Sequence, residues 1–266
     1  MLFRGKNITT NDLDVDYLSF GNKDKCLIII PGLGDGFTTV KKVCFLYYLQ
    51  YKKIISKYKV FVFSRRNNIR ECFSTEDMAD DIIKMMDLLN IKSASIMGIS
   101  QGGMISQKLA IKYPDRIEKL ILTVTTSRTN MMINDKVSKW IEYANNKDYK
   151  SIYIDSCKNS YSNKFLNKYF KYYKIITNFN KPKSYDRFII QAKSCLEHDT
   201  YNELNNIKAP TLVIGSLEDK IVGVDASLEL ADKIENCELY IYSDYGHDVY
   251  IEAKDYIDRV LKFLDN

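Results

Sequence analysis

The sequence contains no long run of apolar residues. Nowhere in its 266 residues do apolar side chains approach the ~18 consecutive positions that a membrane-spanning helix needs. Residues 1–6 also lack the apolar centre of a secretory signal peptide. We therefore expect a cytoplasmic protein without a membrane span.

Cysteine is sparse, and histidine is nearly absent. The six cysteines, at positions 26, 44, 72, 157, 195 and 237, include no Cys-x-x-Cys pair. In a chain of this length without a signal peptide, we expect reduced thiols that serve as small buried hydrophobic side chains. The only two histidines are His198 and His247, so the search for a catalytic base is short.

A large charge of one sign is also missing. The 39 Lys and Arg residues exceed the 34 Asp and Glu residues by five, which argues against a nucleic-acid partner. Hydrophobic residues make up 45% and charged residues 27% of the chain, as in ordinary globular proteins. A chain of this length most simply forms one domain, with room for an insertion.

Apolar runs typical of strands alternate with helical patterns along most of the chain. Each connection between strands is long enough for a helix, which favours a mainly parallel central sheet with helices on both faces, an α/β fold. The run at 26–30 is apolar throughout, as expected for a central strand. Predicted strands lie at 13–20, 26–30, 58–63, 94–97, 117–125, 210–215 and 237–242, and predicted helices end near 57 or span about 75–89, 104–111, 225–234 and 251–264.

The strand pattern stops between residues 127 and 203. This segment has 14 Lys and Arg residues against 8 Asp and Glu residues, and we interpret it as a mostly helical insertion with a solvated basic face. It divides the predicted core into residues 1–126 and 204–266. Its aromatic side chains are candidates either for an apolar pocket or for a plain helical core: Trp140, Tyr143, Phe165, Tyr169, Phe170, Tyr172 and Tyr173.

A Gly-x-Ser-x-Gly motif lies between a predicted strand and a predicted helix. A strand, a tight turn and a helix would leave Ser100 at the point of the turn, and a side chain at Gly98 or Gly102 would collide with a neighbouring element. The Ser100 hydroxyl would then project near the N-terminus of a helix, whose N–H groups can stabilise a developing negative charge. The motif alone is weak evidence, because glycine and serine are common in ordinary turns.

A base and an acid are found at strand ends on the same edge of the predicted sheet. His247 follows the last predicted strand, at the carboxyl edge where sites of open α/β sheets form. His198 lies inside the insertion, and we expect it at the surface or at a helix cap. Asp219 follows the strand at 210–215 and is the candidate acid, with Glu218 as the alternative. On an extended loop only one of these two carboxylates can face His247.

The order of nucleophile, acid and base along the chain, Ser100, Asp219 and His247, is that of the α/β-hydrolase fold. The sequence resembles the α/β-hydrolase superfamily essentially from end to end. The resemblance rests on residues 31–34, 98–103, 209–215 with Asp219, and 246–247. It implies that the segment 127–203 is a cap inserted before the acid-bearing strand.

The resemblance also implies an oxyanion hole. Its donors would be the backbone N–H of Gln101, next to the nucleophile, and that of Leu33, in the turn after the strand at 26–30. Two departures from the family pattern concern the subfamily. Pro31 stands where members often have His, and residues 64–67 read Ser-Arg-Arg-Asn where many members have an Asp-x-Arg-Gly-like turn.

Another chemistry fits part of the same sequence. The turn at 32–37 follows an apolar strand as a dinucleotide-binding turn does, and Arg65 and Arg66 could then face a 2′-phosphate. Tyr143 and Lys147 match a reductase pair in their spacing. Phe37 occupies the third glycine position of that motif, however, so close helix packing is lost there.

We therefore predict a serine hydrolase, carboxylesterase-like (EC 3.1.1), that uses neither a metal nor an organic cofactor. Ser100 attacks a small carboxylic ester and forms an acyl-enzyme, His247 is the base, and Asp219 orients it. The same fold leaves acyl transfer open, as well as cleavage of a thioester, a lactone or a carbon–carbon bond. An NADP-binding reductase and a binding protein without turnover are the alternatives from other classes.

Overall fold

One sheet of eight strands runs through the chain, of which a computed structural model describes residues 5–176 and 181–266. Residues 1–4 and 177–180, which fall within the predicted segments 1–126 and 127–203, lie outside the described residues. The strands are β1 (Lys6–Thr9), β2 (Asp14–Phe20), β3 (Cys26–Ile30), β4 (Lys59–Phe63), β5 (Ala94–Ile99), β6 (Ile117–Thr123), β7 (Thr211–Ser216) and β8 (Cys237–Tyr242).

The sheet is parallel except at one edge. Its strand order is β1-β2-β4-β3-β5-β6-β7-β8. The first two pairings in that order are antiparallel, and the remaining five are parallel. The carboxyl ends of β5, β7 and β8 therefore lie at one edge of the sheet. The predicted mostly parallel sheet is confirmed.

Helices cover both faces of the sheet. In the parts of the chain that the structure describes, none of them is long and apolar enough to cross a membrane. They are α1 (Cys44–Ile55), α2 (Thr75–Leu88), α3 (Gln101–Lys112), α4 (Met131–Asn145), α5 (Tyr149–Ser160), α6 (Asn163–Ile176), α7 (Asp186–Leu196), α8 (Val224–Lys233), α9 (Val249–Glu252) and α10 (Tyr256–Asp265).

Side-chain alternation along β3 connects the sheet to both helical layers. Ile28 and Ile30 belong to the apolar cluster that contains residues of α2 and α3, such as Leu109. Leu27 and Ile29 belong to the opposite cluster, with residues of α1 and α10. All four side chains are fully buried. Burial on both faces explains why this strand is apolar at successive positions.

The helices α4 to α7 lie between β6 and β7 in the chain. The two ends of the segment that carries them meet, because Arg128 and Asp199 form an isolated antiparallel bridge. The Thr200 N–H also donates a hydrogen bond of 2.7 Å to the Ser127 carbonyl. Buried side chains of α4 and α7 pack in one apolar cluster with Met104 of α3. The chain thus leaves the sheet and returns to it at adjacent points.

Three of the differences from the predicted elements have a structural explanation. Strand β1 was not predicted, because its four residues are mostly polar and exposed and show no alternation of apolar side chains. Strand β6 ends at Thr123 rather than 125, since Val124 turns the chain at a φ of 44°. The closing helix predicted at 251–264 is divided into α9 and α10 by extended backbone at Ala253.

We expected His198 at the surface or at a helix cap, and this prediction is wrong. Only 3% of the residue is exposed, and its Nδ1 lies 2.9 Å from the Thr75 hydroxyl at the start of α2. Burial, with a smaller contribution from Lys108, lowers the pKa of His198 to about 3. The residue is therefore a neutral core histidine at physiological pH.

The six cysteines are all free thiols, but they are not all buried. Cys44, Cys157 and Cys195 are buried, as predicted for small hydrophobic side chains, and Cys26 and Cys237 are partly buried. The exception is Cys72 in the loop before α2, which is exposed.

Candidate active site

Ser100 lies in a strained turn between β5 and α3. Its φ of 54° and ψ of −119° lie outside the regions that residues with a side chain normally adopt, at a cost of about 1–3 kcal/mol. Two hydrogen bonds fix the turn. The Ser100 N–H donates to the Thr123 carbonyl at 2.9 Å, and the Thr125 hydroxyl donates to the Ser100 carbonyl at 2.7 Å. The serine hydroxyl therefore projects from the carboxyl edge of the sheet.

The glycines on either side of Ser100 are required by close packing. A Cβ at Gly102 would lie 1.9 Å from the Ile30 carbonyl oxygen, and a Cβ at Gly98 would lie 2.4 Å from the Gly102 carbonyl oxygen. Both contacts are with backbone, which cannot move aside as a flexible side chain can. No residue larger than glycine fits at either position without moving β3 or α3.

The side chains of Asp219, His247 and Ser100 form a hydrogen-bonded chain. His247 Nε2 lies 2.9 Å from Ser100 Oγ, and His247 Nδ1 lies 2.8 Å from Asp219 Oδ2. His247 and Asp219 are each 5% exposed. They follow β8 and β7, whose carboxyl ends share an edge with that of β5. The three residues singled out in the sequence are thus brought together at that edge.

The side chains of Asp219 and Glu218 lie in different surroundings. Glu218 is exposed. The second oxygen of the Asp219 carboxylate, Oδ1, accepts hydrogen bonds of 2.8 Å and 3.0 Å from the N–H groups of Ile221 and Val222. These bonds hold the carboxylate in one orientation and leave Oδ2 for His247.

The charges of this buried pair support each other. Burial lowers the pKa of His247, but the Asp219 carboxylate, with a smaller contribution from Asp248, outweighs it, so the pKa lies above its ordinary value of 6.5. Burial likewise raises the pKa of Asp219, yet His247 and the two backbone N–H groups hold it below its ordinary value. Asp219 is therefore ionised at neutral pH and stabilises the protonated form of His247.

Two backbone N–H groups beside Ser100 are free to donate. Among the described residues, neither the N–H of Leu33 nor that of Gln101 has a hydrogen-bond acceptor. The loop that carries Leu33 packs directly on Ser100, since a Cβ at Gly32 would lie 3.3 Å from Ser100 Cβ. Gln101 begins α3. Both donors therefore border the Ser100 hydroxyl, where an anionic oxygen could accept from them.

The sequence analysis missed the role of Arg65, which holds this loop in place. Its guanidinium donates to the carbonyls of Pro31 and Gly32 at 2.7 Å and 2.5 Å, and to the side chain of Gln101 at 2.8 Å. Only 3% of Arg65 is exposed. An arginine after an apolar strand gives no signal of such a role, because its partners, both backbone carbonyls and side chains, lie at distant positions of the chain.

Asp35 supplies the counter-charge in this network. Its Oδ2 lies 3.6 Å from Arg65 Nε and forms a short ion pair with Arg187 of α7. Arg187 also donates to the Arg65 carbonyl at 2.8 Å. Through Arg187, the loop that carries Leu33 is tied to the helices between β6 and β7.

The dinucleotide-binding interpretation does not fit this arrangement. Residues Leu33–Gly36 form a short 3₁₀ turn rather than the first turn of a long helix. Arg65 is enclosed by protein acceptors, and Arg66 is paired with Asp81 at 2.6 Å. Neither guanidinium is available for a 2′-phosphate.

A cavity of about 390 Å³ opens on Ser100 and His247. Ile133, Val137 and Trp140 of α4 form part of its wall. A second cavity of about 300 Å³ shares Leu33 and Trp140 with the first. The two cavities together can hold a ligand that extends away from Ser100 on one side.

Of the seven aromatic residues considered in the sequence, only Trp140 lines either cavity. Phe165 stacks on Tyr161 with ring centroids 4.3 Å apart and also contacts Tyr169 and Tyr173. These rings pack on one another at the partly buried surface of α6 and do not line either cavity. Besides Trp140, the second cavity is lined by aromatic residues that the sequence did not suggest as pocket residues, Tyr149, Tyr153, Phe37 and Phe188.

The described residues contain no set of side chains arranged as metal ligands. No group of three or more His, Cys, Asp and Glu side chains within 5–176 and 181–266 is arranged to bind one.

Comparison with known proteins identifies the family. The sequence signature of the family described as the alpha/beta hydrolase fold matches residues 25–254. The chain therefore belongs to the α/β-hydrolase family, as its motifs predicted. Its relatives are hydrolases, so the predicted class of enzyme is supported at this level.

Two curated relatives and one solved structure illustrate the similarity. A protein of Caulobacter sp. (strain K31) named "Putative carbamate hydrolase RutD" is 26% identical over 81% of this chain and 84% of its own. The 2-hydroxy-6-oxononadienedioate/2-hydroxy-6-oxononatrienedioate hydrolase of Comamonas testosteroni is 27% identical over 68% of this chain and 66% of its own. MGS-M2, an alpha/beta hydrolase from a Medee basin deep-sea metagenome library, shares the fold with a TM-score of 0.87, 24% identity and 98% coverage of both chains.

The buried position of Arg65 leads to a prediction about stability. Arg65→Met should lower the free energy of unfolding by about 3–5 kcal/mol, because it leaves buried acceptors and part of the Asp35 charge without a partner. Urea unfolding measures the loss. Arg70→Met removes an arginine with a 70% exposed side chain that pairs with Asp77, and it should cost less than ~1 kcal/mol. Equal losses in the two variants would contradict the role given to Arg65.

Proposed function

We propose that this protein is a serine hydrolase that cleaves small carboxylic esters. The observation that carries the proposal is the chain of hydrogen bonds Asp219–His247–Ser100, which ends at a cavity that Ser100, His247 and Leu33 line. A buried aspartate, a histidine and a serine in this order are the groups that acyl transfer to water requires.

The reaction has two halves. Ser100 Oγ attacks the ester carbonyl while His247 Nε2 takes its proton, and the N–H groups of Leu33 and Gln101 donate to the oxyanion that forms. His247 returns the proton to the leaving alcohol as the carbon–oxygen bond breaks. Water, deprotonated by His247, then attacks the acyl-enzyme and releases the acid. Asp219 keeps the imidazole in the required tautomer throughout.

The helices of the segment 127–203 act as the cap that selects the acyl group. Support comes from the cavity wall, since Ile133, Val137 and Trp140 all belong to α4. Ser156 and Ser160 of α5 and Cys195 of α7 extend this wall, and the loops at the sheet edge and residues before and in α1 complete the cavity. A substrate must therefore fit between the cap and the residues that react.

Hydrolysis of an oxo-acid is the second candidate. It is favoured by the relative from Comamonas testosteroni, whose name gives dienedioates as its substrates. The same serine, histidine and N–H donors serve either substrate, because one hydrolase site can host several leaving groups. The charges of the side chains that line the cavity bear on the choice between an ester and an oxo-acid substrate.

A fluorophosphonate probe tests the nucleophile. The wild-type protein should be labelled at Ser100, and Ser100→Ala should not be labelled, because the probe needs an activated serine. Ser156→Ala is the matched control, since Ser156 lines the same cavity on α5 without contacting His247, and its labelling should persist. Full labelling of Ser100→Ala would sink the assignment.

The pH profile tests the acid. In the wild type, kcat/KM for an activated ester should fall as the pH drops through a midpoint above 6.5, because the base must be neutral and Asp219 raises the pKa of His247. Asp219→Asn removes that charge, so the midpoint should move to lower pH and kcat should fall by up to ~10⁴.

Glu218→Gln is the control for this profile, because Glu218 is exposed. Its midpoint should match the wild type, and its kcat should stay within ~10-fold. A midpoint that moves with Glu218→Gln and not with Asp219→Asn would assign the acid to Glu218.

A further inference from the structure

The cavity beside Ser100 contains no side chain that could neutralise an anionic group on a substrate. Among the described residues, its lining includes neither Lys nor Arg. Its ionisable side chains are those of His247, Tyr47, Tyr250 and Cys195 and of two carboxylic acids, Asp35 and Asp248. Because His247 is the proposed base, it must be uncharged when Ser100 reacts.

Two arginines near the site, Arg65 and Arg187, have their guanidinium groups bound to other protein groups. Arg65 donates to Gln191 at 3.2 Å in addition to its bonds with the loop and Gln101. Arg187 donates to backbone carbonyls of residues 35, 65 and 66 and pairs with Asp35. Neither arginine lines the cavity. They stabilise the loop behind the wall and offer no charge to its interior.

The surplus of positive charge between residues 127 and 203 does not change this picture. None of the Lys and Arg side chains that the structure describes in that segment lines the cavity. Charges at the surface of the segment are screened over about 8 Å at physiological ionic strength. They can attract an anion to the surface but cannot pair with it beside Ser100.

Two acidic residues, Asp35 and Asp248, line the cavity. Asp35 Oδ1 is buried and has no hydrogen-bond partner among the described residues. Asp248 is half-buried next to His247, with the hydroxyls of Tyr161 and Tyr250 directed at its carboxylate. A carboxylate on the substrate would add a third acidic group to this space, without a counter-charge.

We infer that the substrate is an uncharged ester, and that carboxylate-bearing substrates are excluded by the lining of the cavity. This inference rests on the proposed function, because it concerns what reaches Ser100. It separates this chain from the relative named for dienedioates, whose substrates carry two carboxylates. The acyl group lies against the wall formed by α4, and its far end extends toward the second cavity.

A pair of esters that differ only in charge tests the inference. Methyl p-nitrophenyl adipate and mono-p-nitrophenyl adipate have the same acyl chain and leaving group, but the second ends in a carboxylate. After subtraction of the uncatalysed rate, wild-type kcat/KM should be ~100-fold higher for the methyl diester. A ratio below about ten, or a preference for the acid, would overturn the inference.

A cation introduced into the wall provides the second measurement. Val137→Lys places an ammonium group in the cavity lining and should reduce the ratio at least ~10-fold, while Val137→Met, of similar length and uncharged, should leave it near the wild-type value. Equal ratios in the two variants would show that charge does not select. If neither ester is hydrolysed and the fluorophosphonate probe does not label Ser100, the proposed function itself fails.

Discussion

The conformation of Ser100 is the constraint on which the rest of the site depends. Its φ of 54° is costly for a residue with a side chain and persists only where the surroundings determine it. Here β3, β5 and β6 do so: the Thr123 carbonyl fixes the Ser100 N–H, and Gly102 packs against the Ile30 carbonyl. With the backbone held in this way, the Ser100 hydroxyl lies within hydrogen-bonding distance of His247 in the present arrangement of the loops after β7 and β8.

The cationic side chains near the site serve structure rather than ligand binding. Arg65 donates hydrogen bonds to the loop that carries Leu33, and Arg187 forms an ion pair with Asp35. The same bonds connect that loop to α7, so the proposed oxyanion donors and the proposed cap are held in one network. The cavity is left with apolar, hydroxyl and carboxyl groups, which suits a polarised neutral carbonyl better than an anion.

The features that the sequence predicted are those with strong local signals. The sheet, the turn at Ser100 and the positions of Asp219 and His247 follow from apolar runs, glycine spacing and the shared edge of parallel strands. The sequence left Glu218 as an alternative to Asp219, and the two backbone N–H groups that hold the Asp219 carboxylate distinguish the two side chains in the structure.

The features that the sequence did not predict depend on contacts between distant residues. Arg65 meets Gln191 across 126 positions of the chain, and His198 is buried because it meets Thr75 across 123 positions. Neither pair is marked by a sequence motif, unlike Ser100 and His247. Polar residues of this kind look like surface residues until tertiary packing encloses them. Strand β1 was missed for a related reason, since an exposed edge strand needs no apolar alternation.

The most direct test of the account is the detection of a covalent intermediate on Ser100. Rapid mixing of the wild-type protein with a p-nitrophenyl ester, followed by acid quench and peptide mass spectrometry, would locate any acyl group. The account predicts a burst of nitrophenol close to one equivalent when deacylation is slow, and the acyl mass on the peptide that contains Ser100. Turnover with the acyl group on another residue, or with no acylated peptide under conditions that give a burst, would contradict it.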